Sequence, residues 1–340
     1  MTLNFTTLFN SKYLAKGVAL IYSLQKSCPD FHLYVFAFDE QSYDILKKKN
    51  LSNTTVISPD EFETQSLLSV KETRSVAEYC WTCTPFTIKY CLDKFNLSNC
   101  TYVDADTFFY SDPGVLIKEM GDNSVLITPH NYHPNYDQSA AAGIYCVQFI
   151  TFKKNENGMK VLSWWADACL TWCYARYEDG KMGDQKYLDC WPYVFHGVYI
   201  CRNQGAGLAP WNALSNIVES NNGALTVSGK PLIFYHFHDL KYLSDGSWYV
   251  GGYDIPQATI ENIYKPYLKT LLEIDADLRK EHLAVDSLNI TAIKNVGDLK
   301  LKFKTGLYIL DLKRSFIQFF SALFFNSRRK YYKKNYIRIN

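Results

Sequence analysis

Two carboxylates one residue apart, Asp104 and Asp106, close the short apolar run Thr101-Tyr102-Val103, with Ala105 between them and Asp112-Pro113 soon after. A strand ending on such a pair can bring both side chains to one hard divalent cation, which prefers oxygen ligands and can hold a diphosphate at the same time. The spacing alone is a weak signal. Asp275-Ala276-Asp277 repeats it inside the helical run 271–283, where it reads as a solvated helix face. Far downstream, His236 and His238 flank Phe237; on a strand, residues two apart face the same side, so either imidazole could join the carboxylates. Lys241 and Lys89 are point charges suited to phosphate oxygens. Tyr13 could stack on a base and Asn10 hydrogen-bond its edge.

Two further segments each allow two readings. Asp184-Gln185 could line a sugar and steady oxocarbenium-like charge, or Gly183-Asp184 could begin a helix over 186–191 with Asp184 as its N-cap. The run Gly205-Ala206-Gly207 leads to Trp211-Asn212. There an indole could stack on a sugar face and an amide bond its hydroxyls, or the Trp could plug a tight turn.

The elements that must position these groups alternate over the first 110 residues. Strand patterns fall at 4–9, 32–38, 54–57 and 101–103, and helical spacing at 13–27, 42–49 and 77–95, where Pro85 should begin or kink part of the helix. Such alternation predicts an α/β fold with parallel strands and crossover helices, binding ligands beyond the carboxyl ends of the strands. Further strands are expected at 124–128, 144–152, 194–201 and 232–237, and a helix at 158–177.

In this order the motifs resemble those of GT-A-fold glycosyltransferases, especially family-8-like nucleotide-diphosphosugar transferases of bacterial glycan and lipopolysaccharide assembly. The resemblance covers about residues 3–255 and rests on Thr7–Tyr13, Thr84–Lys89, the Asp104–Asp106 motif, Gly183–Gln185 and His236–Lys241. It implies a Rossmann-like domain and a metal-dependent transfer of a hexose from a nucleotide diphosphate sugar, UDP-linked by expectation, with retention of configuration. Mn²⁺ or Mg²⁺ would sit on Asp104, Asp106 and His236, with His238 as the alternative. Asn10, Tyr13, Lys89, Ala105, Gly207, Trp211, Asn212 and Lys241 would hold the donor, and Asp184 and Gln185 would act at its sugar. The sequence departs from the family where Lys241 is followed by Tyr242-Leu243, and where the strand Ala141–Gln148 lacks the usual Asn. Asp104-Ala105-Asp106-Thr107 also resembles the motif of a haloacid-dehalogenase-like phosphatase with Asp104 as nucleophile, although Thr107 falls one place early for it. About a hundred α/β residues precede it here, however, and that chemistry gives the histidines and Lys241 no task. A non-catalytic sugar-nucleotide-binding protein is the third reading.

Charge is unevenly distributed. Residues 300–340 hold eleven Lys and Arg against Asp311 alone, net +10, so the remainder carries −8 of the chain's overall +2. An acidic body argues against nucleic acid. The apolar run 315–325, too short to span a bilayer, precedes Arg328, Arg329, Lys330, Lys333, Lys334 and Arg338 with interleaved tyrosines. That pattern suits an interfacial segment on an anionic membrane surface and hence a glycan or lipid-linked acceptor. The expected organisation is a transferase domain over 1–257, a helical extension over 258–314 and a membrane-associating tail over 315–340. The ten cysteines lie in apolar segments and read as buried thiols. No secretory leader opens the chain, so a cytoplasmic enzyme peripheral to the membrane is expected.

Overall fold

The computed structural model describes residues 2–281, 285–293 and 335–339. Its strands β1 (Leu3–Phe9), β2 (Phe31–Ala37), β3 (Thr54–Ile57), β4 (Asn99–Val103), β6 (Val125–Pro129), β7 (Tyr145–Lys153) and β8 (Val198–Ile200) form one sheet, and β5 (Thr107–Phe109) leaves it. The sheet order is β3-β2-β1-β4-β7-β6-β8. Strands β1 to β4 are mutually parallel, β6 and β8 run with them, and β7 alone opposes. The protein is therefore an α/β fold with a parallel-dominated sheet, as the alternation predicts. The reversed β7 was not legible, because a buried strand shows the same apolar run in either direction.

Two apolar layers clothe this sheet. Along β2, Leu33 and Val35 face one layer and Tyr34 and Phe36 the other, the two-residue period of a strand buried on both faces. The first layer contains α1 (Leu14–Ser27), the second the helices Val76–Lys94 and Glu156–Thr171. The helix Val76–Lys94 runs on through Pro85. Gly17 lets α1 lie close on the end of β1: a Cβ there would stand 2.2 Å from the Phe9 ring.

Several boundaries differ from expectation. The helix begun near Gly158 ends at Thr171, where Trp172 turns extended. The expected strand over 194–201 is confined to 198–200, because Trp191–Val194 forms a helical turn. Within the expected extension, Ile263, Tyr267, Leu271 and Leu278 of the helical segment over 257–280 are buried in the same layer as Val103 and Phe109. Asp275 is not on a solvated face; it is buried, accepting from Ser287 Oγ at 2.6 Å and Arg279 Nε at 2.7 Å. At the chain's end, Tyr336–Ile337 pairs antiparallel with Trp248–Tyr249, and Asn335 Nδ2 donates to the Gly251 carbonyl at 2.7 Å. Residues 335–339, expected as the end of a membrane tail, thus dock on the body. Residues 315–334 lie outside the described residues. Among the described residues no helix is long and apolar enough to cross a membrane.

Candidate active site

The C-terminal ends of β1, β2 and β4 meet the start of the reversed β7 at one edge of the sheet. From β1 the chain builds outward through β2 and β3, then returns to place β4 on the other side. Such a switch point opens a crevice where ligands of α/β sheets bind. Asn10 follows β1 and Asp104 follows β4. Thr107 N donates to the Asp104 carbonyl at 3.0 Å, turning the chain so that β5 runs beside the strand Phe234–His236. In that ribbon His236 lies opposite Thr107, and Phe237 N donates to the Asp106 carbonyl at 2.8 Å. Backbone pairing thereby carries a histidine from 130 residues away onto the carboxylate pair.

His236 Nε2 lies 3.1 Å from Asp106 Oδ1 and 3.7 Å from Asp104 Oδ2. Its Nδ1 is 2.9 Å from Gln148 Oε1. With that carbonyl accepting the Nδ1 proton, Nε2 is the nitrogen presented to the carboxylates, as metal-bound histidines require. Burial works against an ionised Asp106, but the His236 charge and hydrogen bond prevail and hold it well below the usual carboxylate range. Asp104 is pushed up to about 6, by burial first and the Asp106 charge besides, against the pull of His236. His236 itself is held well above the usual imidazole range, its burial outweighed by Asp106. The pocket is thus organised around a positive charge set between two carboxylates. Donors of this kind fit a divalent cation: a carboxylate oxygen from each of Asp104 and Asp106 lies within 3.7 Å of one oriented imidazole nitrogen. His238 is the more exposed of the two histidines, packed edge-on to Trp211.

Lys16 was not foreseen. It sits on α1 among Leu14, Ala15 and Val18, 8% exposed, with Nζ 3.1 Å from the Leu240 carbonyl and 3.9 Å from Asp106 Oδ2. Its charge also lies 4.4 Å from the Tyr13 ring centre. A lysine inside an apolar helical stripe was the available signal. Lys241 pairs with Asp239, and both are close enough to influence Lys16. The loop after β1 is fixed by Asp39, whose carboxylate accepts from Ser11 N at 3.0 Å, Ser11 Oγ at 2.7 Å and Ser42 N at 2.8 Å. Asn10 Oδ1 accepts from Lys12 N at 3.2 Å within that loop, and Tyr13 is 38% exposed.

Asp184 is 3% exposed and does not cap a helix; Gln185 occupies the cap position before the turn Lys186–Cys190, without a side-chain bond. Burial first, and the Asp104 charge second, push Asp184 up to about 7. Its Oδ2 has no partner among the described residues. Gln185 is half-buried beside it.

Three residues expected to contact the donor have polar groups engaged within the protein. Lys89 pairs with Asp93 at 3.5 Å, about 7 Å along the helix from Thr84 toward its far end. Asn212 is buried, with Nδ2 donating to His130 O at 2.9 Å and Gly207 O at 2.8 Å while Oδ1 accepts from Ala209 N at 3.0 Å. Trp211 is buried too, its Nε1 donating to His130 O at 2.8 Å and its ring edge-on to His236 at 5.4 Å. Trp211 thus backs His236, while Asn212 ties the loop to the His130 carbonyl. Gly207 holds φ +75°, and a Cβ there would stand 3.1 Å from Gln148 Nε2. Asp189, five residues past Asp184, accepts from Ile144 N at 2.7 Å and Lys186 Nζ at 2.8 Å.

No protein-family model matches the chain. Two uncharacterised proteins of Bacillus subtilis (strain 168) are similar to it. YfnD is 30% identical over 281 residues, 79% of this chain and 89% of YfnD. YfnF is 31% identical over 253 residues, 72% of this chain and 84% of YfnF. Among solved structures, the galactosyltransferase LgtC in complex with donor and acceptor sugar analogues aligns with a TM-score of 0.47 at 12% identity, over 80% of this chain and 96% of that one. The glycosyltransferase GlyE of Streptococcus pneumoniae TIGR4 aligns with a TM-score of 0.48 at 12% identity, over 83% and 64%.

Proposed function

The chain belongs to the family of YfnD and YfnF, and because its paired carboxylates converge on an oriented histidine at a sheet switch point, we propose that it is a metal-dependent glycosyltransferase of the GT-A type. It moves a hexose from a nucleotide diphosphate sugar, UDP-linked in our reading, to a glycan or lipid-linked acceptor with retention of configuration. The observation that carries this is His236 Nε2 within 3.1 Å of Asp106 and 3.7 Å of Asp104, which a phosphatase nucleophile does not call for. A bound Mn²⁺ or Mg²⁺ supplies charge neutralisation for the departing diphosphate. Asp104, Asp106 and His236 would hold that ion, with Gln148 fixing the His236 ring through Nδ1. Lys16 adds a fixed cation beside Asp106, and Lys241 offers a second once it leaves Asp239. Tyr13 presents an exposed ring to the base. Asp184 and Gln185 lie on the Asp104 side, where the sugar's developing positive charge would be met by a carboxylate and an amide. The basic, aromatic run 315–334 would keep the enzyme on an anionic membrane surface near lipid-linked acceptors.

The test is a donor screen with purified protein and Mn²⁺, reading release of nucleoside diphosphate. Release from one sugar nucleotide, abolished by EDTA and restored by Mn²⁺, is the expected result. Full turnover in chelator, or phosphate trapped on Asp104 with hydrolysis of simple phosphate esters, would overturn the proposal. Sedimentation with anionic vesicles that weakens in high salt is expected of the full chain; no binding at low salt would remove the membrane assignment.

A further inference from the structure

One donor atom from each of Asp104, Cys146 and His236 lies within 4.8 Å of the other two. In a tetrahedral zinc centre, bonds of about 2.0–2.3 Å put ligand atoms roughly 3.3–3.8 Å apart, so a contraction of about 1 Å, within the reach of rotamer adjustment, closes this set. Cys146 is buried near the start of β7, packed with Ala209 and Trp211. Gln148, two residues along, lies on the same face of that strand and takes His236 Nδ1. The strand thus places a sulfur and a histidine-orienting carbonyl against one imidazole. Among the described residues none of the other nine cysteines belongs to such a group.

We propose that Cys146 is a metal ligand, so that the centre takes a borderline-soft divalent ion such as Zn²⁺ through Asp104, Cys146 and His236 with a fourth position open. The proposal rests on the reading of Asp104 and His236 as metal ligands. A hard ion such as Mn²⁺ is satisfied by oxygens and imidazole and leaves the thiol unused; a softer ion recruits it. When the metal–sulfur bond forms, the thiol proton passes to solvent.

The experiment uses Co²⁺ as a spectroscopic stand-in for Zn²⁺ on the full-length chain. The wild type should show a thiolate-to-cobalt charge-transfer band that Cys146→Ser and Cys146→Ala both remove, while Mn²⁺ affinity stays nearly unchanged. Zn²⁺ affinity should fall further than the ~10–100-fold typical of losing an outer-sphere partner. Cobalt bound without that band, or with a band that survives Cys146→Ser, overturns the thiol ligand and leaves the Asp104–His236 centre standing. No cobalt binding at all overturns both. Should the Cys146 variants fail to fold, the wild-type spectrum decides the matter, with loss of the band in His236→Ala locating it.

Discussion

Asp104 and Asp106 reach one histidine from the same tight turn, yet they are not equivalent. Asp106 takes the close contact at 3.1 Å and is held ionised, whereas Asp104, at 3.7 Å, is raised to about 6. In the proposed reading both hold a cation against a leaving diphosphate. Asp104→Asn and Asp106→Asn should each lower kcat about 100-fold or more in a donor-release assay, with circular dichroism unchanged. His236→Ala should weaken Mn²⁺-dependent donor binding more than His238→Ala, since only the former contacts the carboxylates; the reverse order would reassign the ligand. Asp184 carries a different consequence. Its native value near 7 lies above the unfolded value of about 3.9, so between the two the folded state holds a proton that the unfolded state has released. Stability from this group is complete below about pH 4 and lost as pH rises through 7, a span of about 4 kcal/mol. Asp184→Asn lacks that titration. In metal-free denaturant melts its stability relative to wild type should improve from pH 4.5 to pH 8, and an equal offset at both values would refute the assignment.

At the scale of elements, the site depends on how closely α1 approaches β1, because that helix carries Lys16 and follows directly on Tyr13. Gly17→Ala would drive a methyl into the buried Phe9 ring. Overpacking of this kind costs about 1–3 kcal/mol, and the loss should show as a lower urea midpoint together with a raised KM for donor. Pairing it with Phe9→Leu should recover part of both. The first half of the fold was open to reading, since β1 to β4 and their helices follow apolar periods that local sequence carries. The end of β4 at Asp104 was likewise legible, because the apolar run stops there. Lys16 was not, since a helical stripe says which residues are buried and not what a buried cation meets. The burial of Trp211 and Asn212 was hidden for a related reason. Their polar atoms are bound by the carbonyl of His130, some 80 residues earlier, and no local pattern reveals a partner at that distance. Lys89 had the right neighbours in sequence, but the helical rise takes it past the site.

On the scale of the whole molecule, the small sheet that bears Lys241 draws together distant parts of the chain. Lys241–Tyr242 pairs with Trp248–Tyr249, and that strand pairs with Tyr336–Ile337. Thr291 N donates to the Tyr242 carbonyl at 2.8 Å, and Val250 N donates to the Asn335 carbonyl at 3.0 Å. Thr291 and residues 335–337 are therefore fastened to one patch of the body, and these last described residues form, by their connections, a clasp on the sheet that bears Lys241. A tethered segment meets its site at an effective concentration on the order of millimolar, and a severed one does not. A protease site introduced at Arg328-Arg329 should give a nicked enzyme that matches the intact one when concentrated. On dilution the nicked form should shed its last dozen residues and lose donor affinity, while the uncut enzyme is indifferent to concentration.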